Sequence, residues 1–209
     1  MVRIVSGQVK GRRLKIPSGP LRPTSGRVKT SLFDILAAWI GGRTVVDLCA
    51  GTGSLGIEAL SRGAASAVFV DDDPGAVRAI KTNLEVLEDQ AAVWHTDAAA
   101  ALKHLSQCSC PVDLIIADPP YDGSFINEIV HAVATLPVLT DDGLLIIEHS
   151  AKSEPPVADS GLVQTRQKKY GNTALTFYQR DEQDRLTSPR FASVVRPVDL
   201  QPPSPRKRR

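Results

Sequence analysis

The chain is poor in cysteine, and the three it has, Cys49, Cys108 and Cys110 in 209 residues, form neither a paired framework nor a metal-ligand spacing. That excludes a disulfide-built secreted fold and points to a reducing cytoplasm. The four histidines, His95, His104, His131 and His149, are scattered, so no metal is expected. Long apolar runs are missing too. Nothing approaches the ~18 residues of a membrane span, and the N-terminus passes straight into Arg3 and Lys10 without the apolar core of a signal peptide. A soluble cytoplasmic protein with no membrane partner is the expectation, and no internal repeat is visible.

The first thirty residues lack any acid but hold eight basic residues: Arg3, Lys10, Arg12, Arg13, Lys15, Arg22, Arg27 and Lys29. Residues 31–165 carry a net −13 and residues 166–209 a net +7, which the overall +2 conceals. Cation gathered at both ends of an acidic body favours a polyanionic partner, because phosphate contacts supply most sequence-independent affinity. The leader's arginines alternate with Gly7, Gly11, Gly19, Pro17, Pro20 and Pro23, residues that shape loops.

At 42% hydrophobic, the chain has enough apolar residues for the core of one α/β domain plus appendages. The β-branched run Thr44-Val45-Val46 leads through Asp47 into Gly51-x-Gly53-x-x-Gly56 and then a segment with apolar Leu55, Ala59 and Leu60. This reads as strand, tight turn and helix, with a turn that lets backbone approach a nucleotide-like cofactor. A second strand, Ala67–Val70, ends at Asp71, about 20 residues after Gly51, where an acid can take both hydroxyls of a ribose. Asp47 separates the possible cofactors. A carboxylate beside the turn repels the pyrophosphate of a dinucleotide but suits the sulfonium and ammonium of S-adenosylmethionine. A third strand, Ala92–Thr96, ends in Asp97-Ala98, which can accept from an adenine amine and donate a backbone N–H to the ring. Each aspartate alone also reads as a cap or turn residue.

The apolar run Leu114–Ala117 delivers Asp118-Pro119-Pro120-Tyr121 to a fourth strand end. The Asp118 carboxylate and the Pro119 carbonyl can accept hydrogen bonds from an exocyclic amine, two prolines fix those acceptors, and Tyr121 offers a ring for stacking. Cys49 precedes the cofactor turn and is read as a small buried apolar residue, not a nucleophile.

The run from Asp47 to Ala64, the Asp118–Tyr121 box, and a leader with Arg3–Gly7, Gly11–Leu14 and Leu21-Arg22-Pro23-Thr24-x-x-Arg27-Val28 closely resemble the bacterial 16S rRNA guanine-N2 methyltransferase family, the D type among small-subunit rRNA methyltransferases. The resemblance runs from about residue 2 to Arg180, closing with Tyr170-Gly171 and Thr176–Arg180. It implies a Rossmann-like S-adenosylmethionine-dependent methyltransferase of the α/β class with a largely parallel sheet. A terminal antiparallel hairpin and a small N-terminal β-hairpin extension complete it. Together with the chemistry of the residues, the expected roles are catalysis by Asp118, Pro119 and Tyr121; cofactor binding by Asp47, Gly51, Gly53, Asp71, Asp97 and Ala98; and substrate contact by Pro120, Arg12, Arg13, Arg22, Thr24 and Arg27. The partner expected is 16S rRNA or a small-subunit assembly particle, and a monomer is the expected state. Departures are modest: Cys49 stands where an aromatic or other apolar residue is expected, and Lys29-Thr30 replaces a basic-acidic pair, leaving the docking of the leader open.

The organisation expected is a leader over residues 1–26, a methyltransferase domain over 27–180, and a disordered basic tail over 181–209 with five prolines. Helices are predicted over 27–40, 54–62, 74–88, 98–106 and 123–136, alternating with strands, which argues a parallel sheet. Leu144–Glu148 is a fifth buried strand, and Leu162–Arg166 with Ala174–Tyr178 a terminal hairpin. Rival readings are an N6-adenine nucleic-acid methyltransferase, a protein-glutamine methyltransferase and a non-catalytic RNA-binding protein on the same fold. The basic leader, Asp118 and the four strand-end acids weigh against them.

Overall fold

Val45, Val46, Ala67, Val68, Leu114 and Ile115 are exposed by 1% or less, because the strands that carry them are covered on both faces. In the computed structural model, which describes residues 2–17, 26–120, 123–157, 161–181 and 197–203, these strands lie within one seven-stranded sheet. The order along the chain is α1 (Gly26–Ile35), β1 (Thr44–Leu48), α2 (Ser54–Ser61), β2 (Ser66–Asp71), α3 (Pro74–Leu84) and β3 (Ala91–His95). Then come α4 (Ala98–Gln107), β4 (Val112–Ala117), α5 (Gly123–Thr135), β5 (Leu139–Ser150), β6 (Leu162–Tyr170) and β7 (Thr173–Arg180).

Strands run β3-β2-β1-β4-β5-β7-β6 across the sheet. The first five pair in parallel, and β7 pairs antiparallel with both β5 and β6. The chain winds outward to β3 and then returns to place β4 against β1. Such a reversal opens a crevice over the carboxyl ends of the two strands, where open α/β sheets bind ligands. The α/β Rossmann-like architecture expected from the sequence is therefore present.

Two cores flank the sheet. One packs α1, α2 and α3 through Leu32, Phe33, Ile57, Phe69 and Ile80, and the other packs α4 and α5 through Trp94, Leu102, Ile129 and Val130. The first is capped by the leader, whose Val2, Ile4 and Leu14 join it. That is why α2 is buried along its whole length although its sequence is only partly apolar.

Several boundaries differ from expectation. α1 stops at Ile35, and the chain continues to Ile40 in turns that keep Leu36 and Ile40 buried. The expected leader hairpin is a single antiparallel bridge, Arg3 to Arg13, supported by hydrogen bonds from Ile4 N–H to Arg12 (3.0 Å) and Leu14 N–H to Val2 (3.0 Å). The disordered tail needs correction for residues 197–203. A 3₁₀ turn at Pro197–Asp199 lies there, Val198 and Leu200 pack against the Trp94 core, and the Gln201 carbonyl meets His104 Nε2 at 2.9 Å. These residues add to the cover that α4 gives Trp94 on that face of the sheet. The terminal Arg206–Arg209 run lies outside the described residues.

Candidate active site

The glycine turn between β1 and α2 is shaped by left-handed backbone at Gly51 (φ 55°) and Gly53 (φ 74°), conformations that side chains with a Cβ resist. Gly56 answers a different need. A Cβ there would lie 2.3 Å from the Phe69 ring, so only glycine lets α2 pack this closely on β2. Cys49 adopts φ 58° without being glycine, and it is half-buried, more exposed than the sequence suggested. Burial first, then the fields of Asp71, Asp47, Asp72 and Asp118, push its thiol far up, which leaves it inert.

Asp47 is 1% exposed, and its Oδ2 accepts the Gly56 N–H at 2.8 Å, tying β1 to the first turn of α2. Burial pushes this carboxyl well above the usual range; the Gly56 hydrogen bond opposes that, while Asp118 and Asp71 add to it by repulsion. Asp71 spans two turns. Its Oδ2 accepts from Gly51 N–H at 2.7 Å and its Oδ1 from Asp73 N–H at 2.9 Å, while burial raises its pKa. An acidic cluster held at such cost is one whose charge a cationic ligand would relieve.

The next strand end behaves differently. Asp97 caps α4 through a hydrogen bond from Ala100 N–H to its Oδ1 at 2.7 Å, the cap role weighed for it from the sequence. Ala98 is the first residue of that helix, so its N–H has no intrahelical partner. Asp118 follows β4, whose register pairs Leu48 with Ala117, and is half-buried; Pro119 is buried and Pro120 exposed. The fold thus gathers Asp47, Gly51, Gly53, Asp71 and Asp118 along the carboxyl ends of β1, β2 and β4. Tyr121, Arg22 and Thr24 lie outside the described residues. A cavity of about 580 Å³ opens beside α5, lined by Gly123, Ile126, His131, His149 and Pro156, and none of the sequence-predicted site residues lines it.

The leader is knit to the cofactor turn. Glu58, fully buried on α2, accepts N–H groups from Val5 (2.7 Å) and Ser6 (3.0 Å). Lys29 Nζ, also buried, reaches the Arg3 carbonyl (2.7 Å), Ser54 Oγ (2.9 Å) and Glu58 Oε2 (3.5 Å). Asn83 donates to the carbonyls of both Lys15 (3.0 Å) and Thr52 (2.9 Å). Lys29, noted as a departure, is therefore one of the residues that dock the leader. Arg12 pairs with Glu85 at 3.2 Å, whereas Arg13 and Arg27 are exposed. The sequence reading missed Glu58, Asn83 and Glu148; the last lies near the carboxyl end of β5, level with the place where Asp118 leaves β4, and the same pattern of an acid closing an apolar run could have marked it.

The comparisons with known proteins decide the family. The model of a family described as "Conserved hypothetical protein 95" matches residues 2–179. Ribosomal RNA small subunit methyltransferase D of Escherichia coli is 33% identical over 87% of this chain and 91% of its own length. The chain belongs to the small-subunit rRNA methyltransferase D family. A Bacillus subtilis relative, named provisionally as an rRNA methyltransferase, is 37% identical over 86% of this chain and 99% of its own. A solved Escherichia coli protein, named provisionally as a methyltransferase, superposes with a TM-score of 0.76 at 33% identity, covering 86% of this chain and 98% of that one. The fold is shared with a solved Streptococcus mutans protein, named provisionally as an S-adenosylmethionine-dependent methyltransferase, that is 14% identical and superposes with a TM-score of 0.61 over 73% of this chain.

Proposed function

We propose that the protein methylates the exocyclic N2 amine of one guanine in 16S rRNA, free or within a small-subunit assembly particle, acting as a cytoplasmic monomer. The observation that carries this is the adjacency of two strand ends. Asp118 leaves β4 two residues beyond Ile116, the register partner of Asp47 on β1, and close enough to Asp47 for their charges to repel, so an amine acceptor and the acid cluster of the cofactor turn share one crevice.

Asp47 and Asp71 hold the cofactor's cationic and ribose groups in this reading, with Gly51 and Gly53 admitting it to the backbone and Asp97-Ala98 bordering its base. When bound, S-adenosylmethionine supplies an electrophilic methyl whose bond to sulfur breaks as the bond to nitrogen forms, leaving S-adenosylhomocysteine and one proton released from N2. Asp118 and the Pro119 carbonyl accept the two N–H bonds of the amine, drawing its lone pair out of the ring and stabilising positive charge as it develops. The base must be unpaired or extruded to reach them, with Pro120 and Tyr121 as its stacking surface. The exposed Arg13 and Arg27, with Arg12, Arg22 and Thr24, hold the RNA backbone.

Mapping methylguanosine in 16S rRNA from a deletion strain by mass spectrometry, with complementation by wild type or Asp118→Ala, tests this. Loss of one N2-methylguanosine, restored only by the wild type, is expected. Asp118→Ala should retain cofactor affinity and lose about 10²–10³ in rate. A variant with more than about a tenth of normal turnover would remove Asp118 from the mechanism, and a missing N6-methyladenine would favour the adenine alternative.

A further inference from the structure

Glu148 lies on β5, beside the β4 strand end from which Asp118 projects. Ala117 pairs with Ile147 in the parallel register, so the two acids occupy corresponding places one residue further on. Alternation puts them on the same face as Ile116 and Ile146, both of which belong to the core under α1 and α2. Glu148 is only 4% exposed, and its Oε2 has no hydrogen-bond partner among the described residues. Burial, then repulsion from Asp118, pushes its carboxyl up to about 8. A buried acceptor left unmade costs stability, which an apolar residue of similar size would not, so its role is sought in a ligand.

Guanine supplies the missing donor. The base edge that bears the N2 amine also bears N1–H beside it, whereas adenine presents a lone pair at N1. We propose that Glu148 determines the choice of base by accepting the N1–H of the target guanine while Asp118 and Pro119 hold its N2 amine. This rests on guanine N2 being the reacting amine. The two acids and one carbonyl then match the three N–H bonds of that edge, whose donors favour the ionised form of Glu148, and an adenine turned the same way would set its N1 lone pair against that carboxylate.

The test uses the RNA that the wild type methylates, carrying either guanine or 2-aminopurine at the target nucleotide. The analogue keeps the 2-amine and lacks N1–H. Glu148→Leu should lose about 10- to 100-fold in kcat/KM on guanine, the scale of one hydrogen bond to an ionisable group, and less than about threefold on 2-aminopurine. Glu148→Gln, which keeps an acceptor, should recover part of the guanine rate. Should the Leu variant fail to fold, the Gln variant carries the same comparison, and a loss confined to guanine supports the role. Equal losses on both bases, or none on guanine, overturn Glu148 as the reader and leave guanine methylation standing. Transfer by the wild type to an adenine amine overturns the parent reading, and it is recognised by the position of the methyl, not by the rate ratio.

Discussion

Glu58 Oε2 accepts the backbone N–H of Val5 at 2.7 Å across 53 residues of sequence, fastening the basic leader to the helix that follows the cofactor turn. The same carboxylate meets Lys29 at 3.5 Å and Arg62 at 2.9 Å, and it is fully buried. Removing one member of such a set leaves the others as uncompensated buried charge, at a cost of about 3–5 kcal/mol. Glu58→Ala should therefore lower urea-unfolding stability by that order and expose Lys10, Arg12 and Arg13 to trypsin. A loss below about 1 kcal/mol with unchanged cleavage would mean that the leader is held by its apolar contacts alone. The double replacement Lys29→Met, Glu58→Leu should recover much of the loss, because it removes the charges together.

The acids of the crevice make stability depend on pH in a direction opposite to that of ordinary paired carboxylates. Asp47 and Asp71 are raised above an ordinary value of 3.8, and Glu148 from 4.5 to about 8. A carboxyl raised in the native state contributes its stability in full below the unfolded pKa and loses it as pH rises through the native one. The ligand-free protein should then lose thermal stability from about pH 5 to 8, and Glu148→Leu should flatten part of that slope. A cationic cofactor favours the ionised acids, so its binding should release protons and its stabilisation should grow with pH over the same window. Melting temperatures with and without S-adenosylmethionine measure both; a cofactor gain independent of pH would count against Asp47 as a partner of its cationic groups.

The fold was legible where the signal is local. Val45, Val46 and the Gly51-x-Gly53-x-x-Gly56 spacing define strand, turn and helix within a dozen residues, and Asp71 and Asp118 were found because each ends an apolar run. Contacts between distant segments carry no such period. Glu58 with Val5, and Asn83 with Lys15, are separated by 53 and 68 residues, and a buried glutamate on an apolar helix gives no sign of its partner. Asp97 shows the opposite difficulty, since one residue type serves both caps and ligands and only its bond to Ala100 N–H displays the cap. Composition misled for Val198 and Leu200, whose neighbouring prolines and charges hid two apolar side chains that cover β3.

The leader's cations divide into tied and available ones. Arg12 is neutralised by Glu85 at 3.2 Å, while Arg13 and Arg27 are exposed. Replacing the latter two by Gln should weaken binding to a 16S rRNA fragment and reduce the salt slope by about 0.7–0.9 per lost phosphate contact, with cofactor affinity unchanged. Arg12→Gln should do less, because a surface pair already screens that charge. Filter binding between about 50 and 200 mM salt, values that span the usual working range, separates these cases. An equal effect of Arg12 would mean that RNA displaces Glu85.

Truncation distinguishes two parts of the tail. Removing residues 204–209 strips the Arg206–Arg209 run but spares Val198, Leu200 and the Gln201 carbonyl bound to His104. That deletion should leave stability unchanged and at most modestly raise the RNA concentration required for methylation. Removing residues 182–209 also uncovers Trp94, 1% exposed, and the face of β3 on which the 3₁₀ turn lies. Fully burying a side chain such as Val or Leu is worth about 1.5–3 kcal/mol, and these two are only partly buried, so the longer deletion should cost about 2–3 kcal/mol in total. Urea unfolding followed by Trp fluorescence reads the difference, since Trp94 gains solvent only in the longer deletion. Equal stability of the two truncated forms would show that residues 197–203 rest on β3 without stabilising it, and the +7 segment would then matter only through its charge.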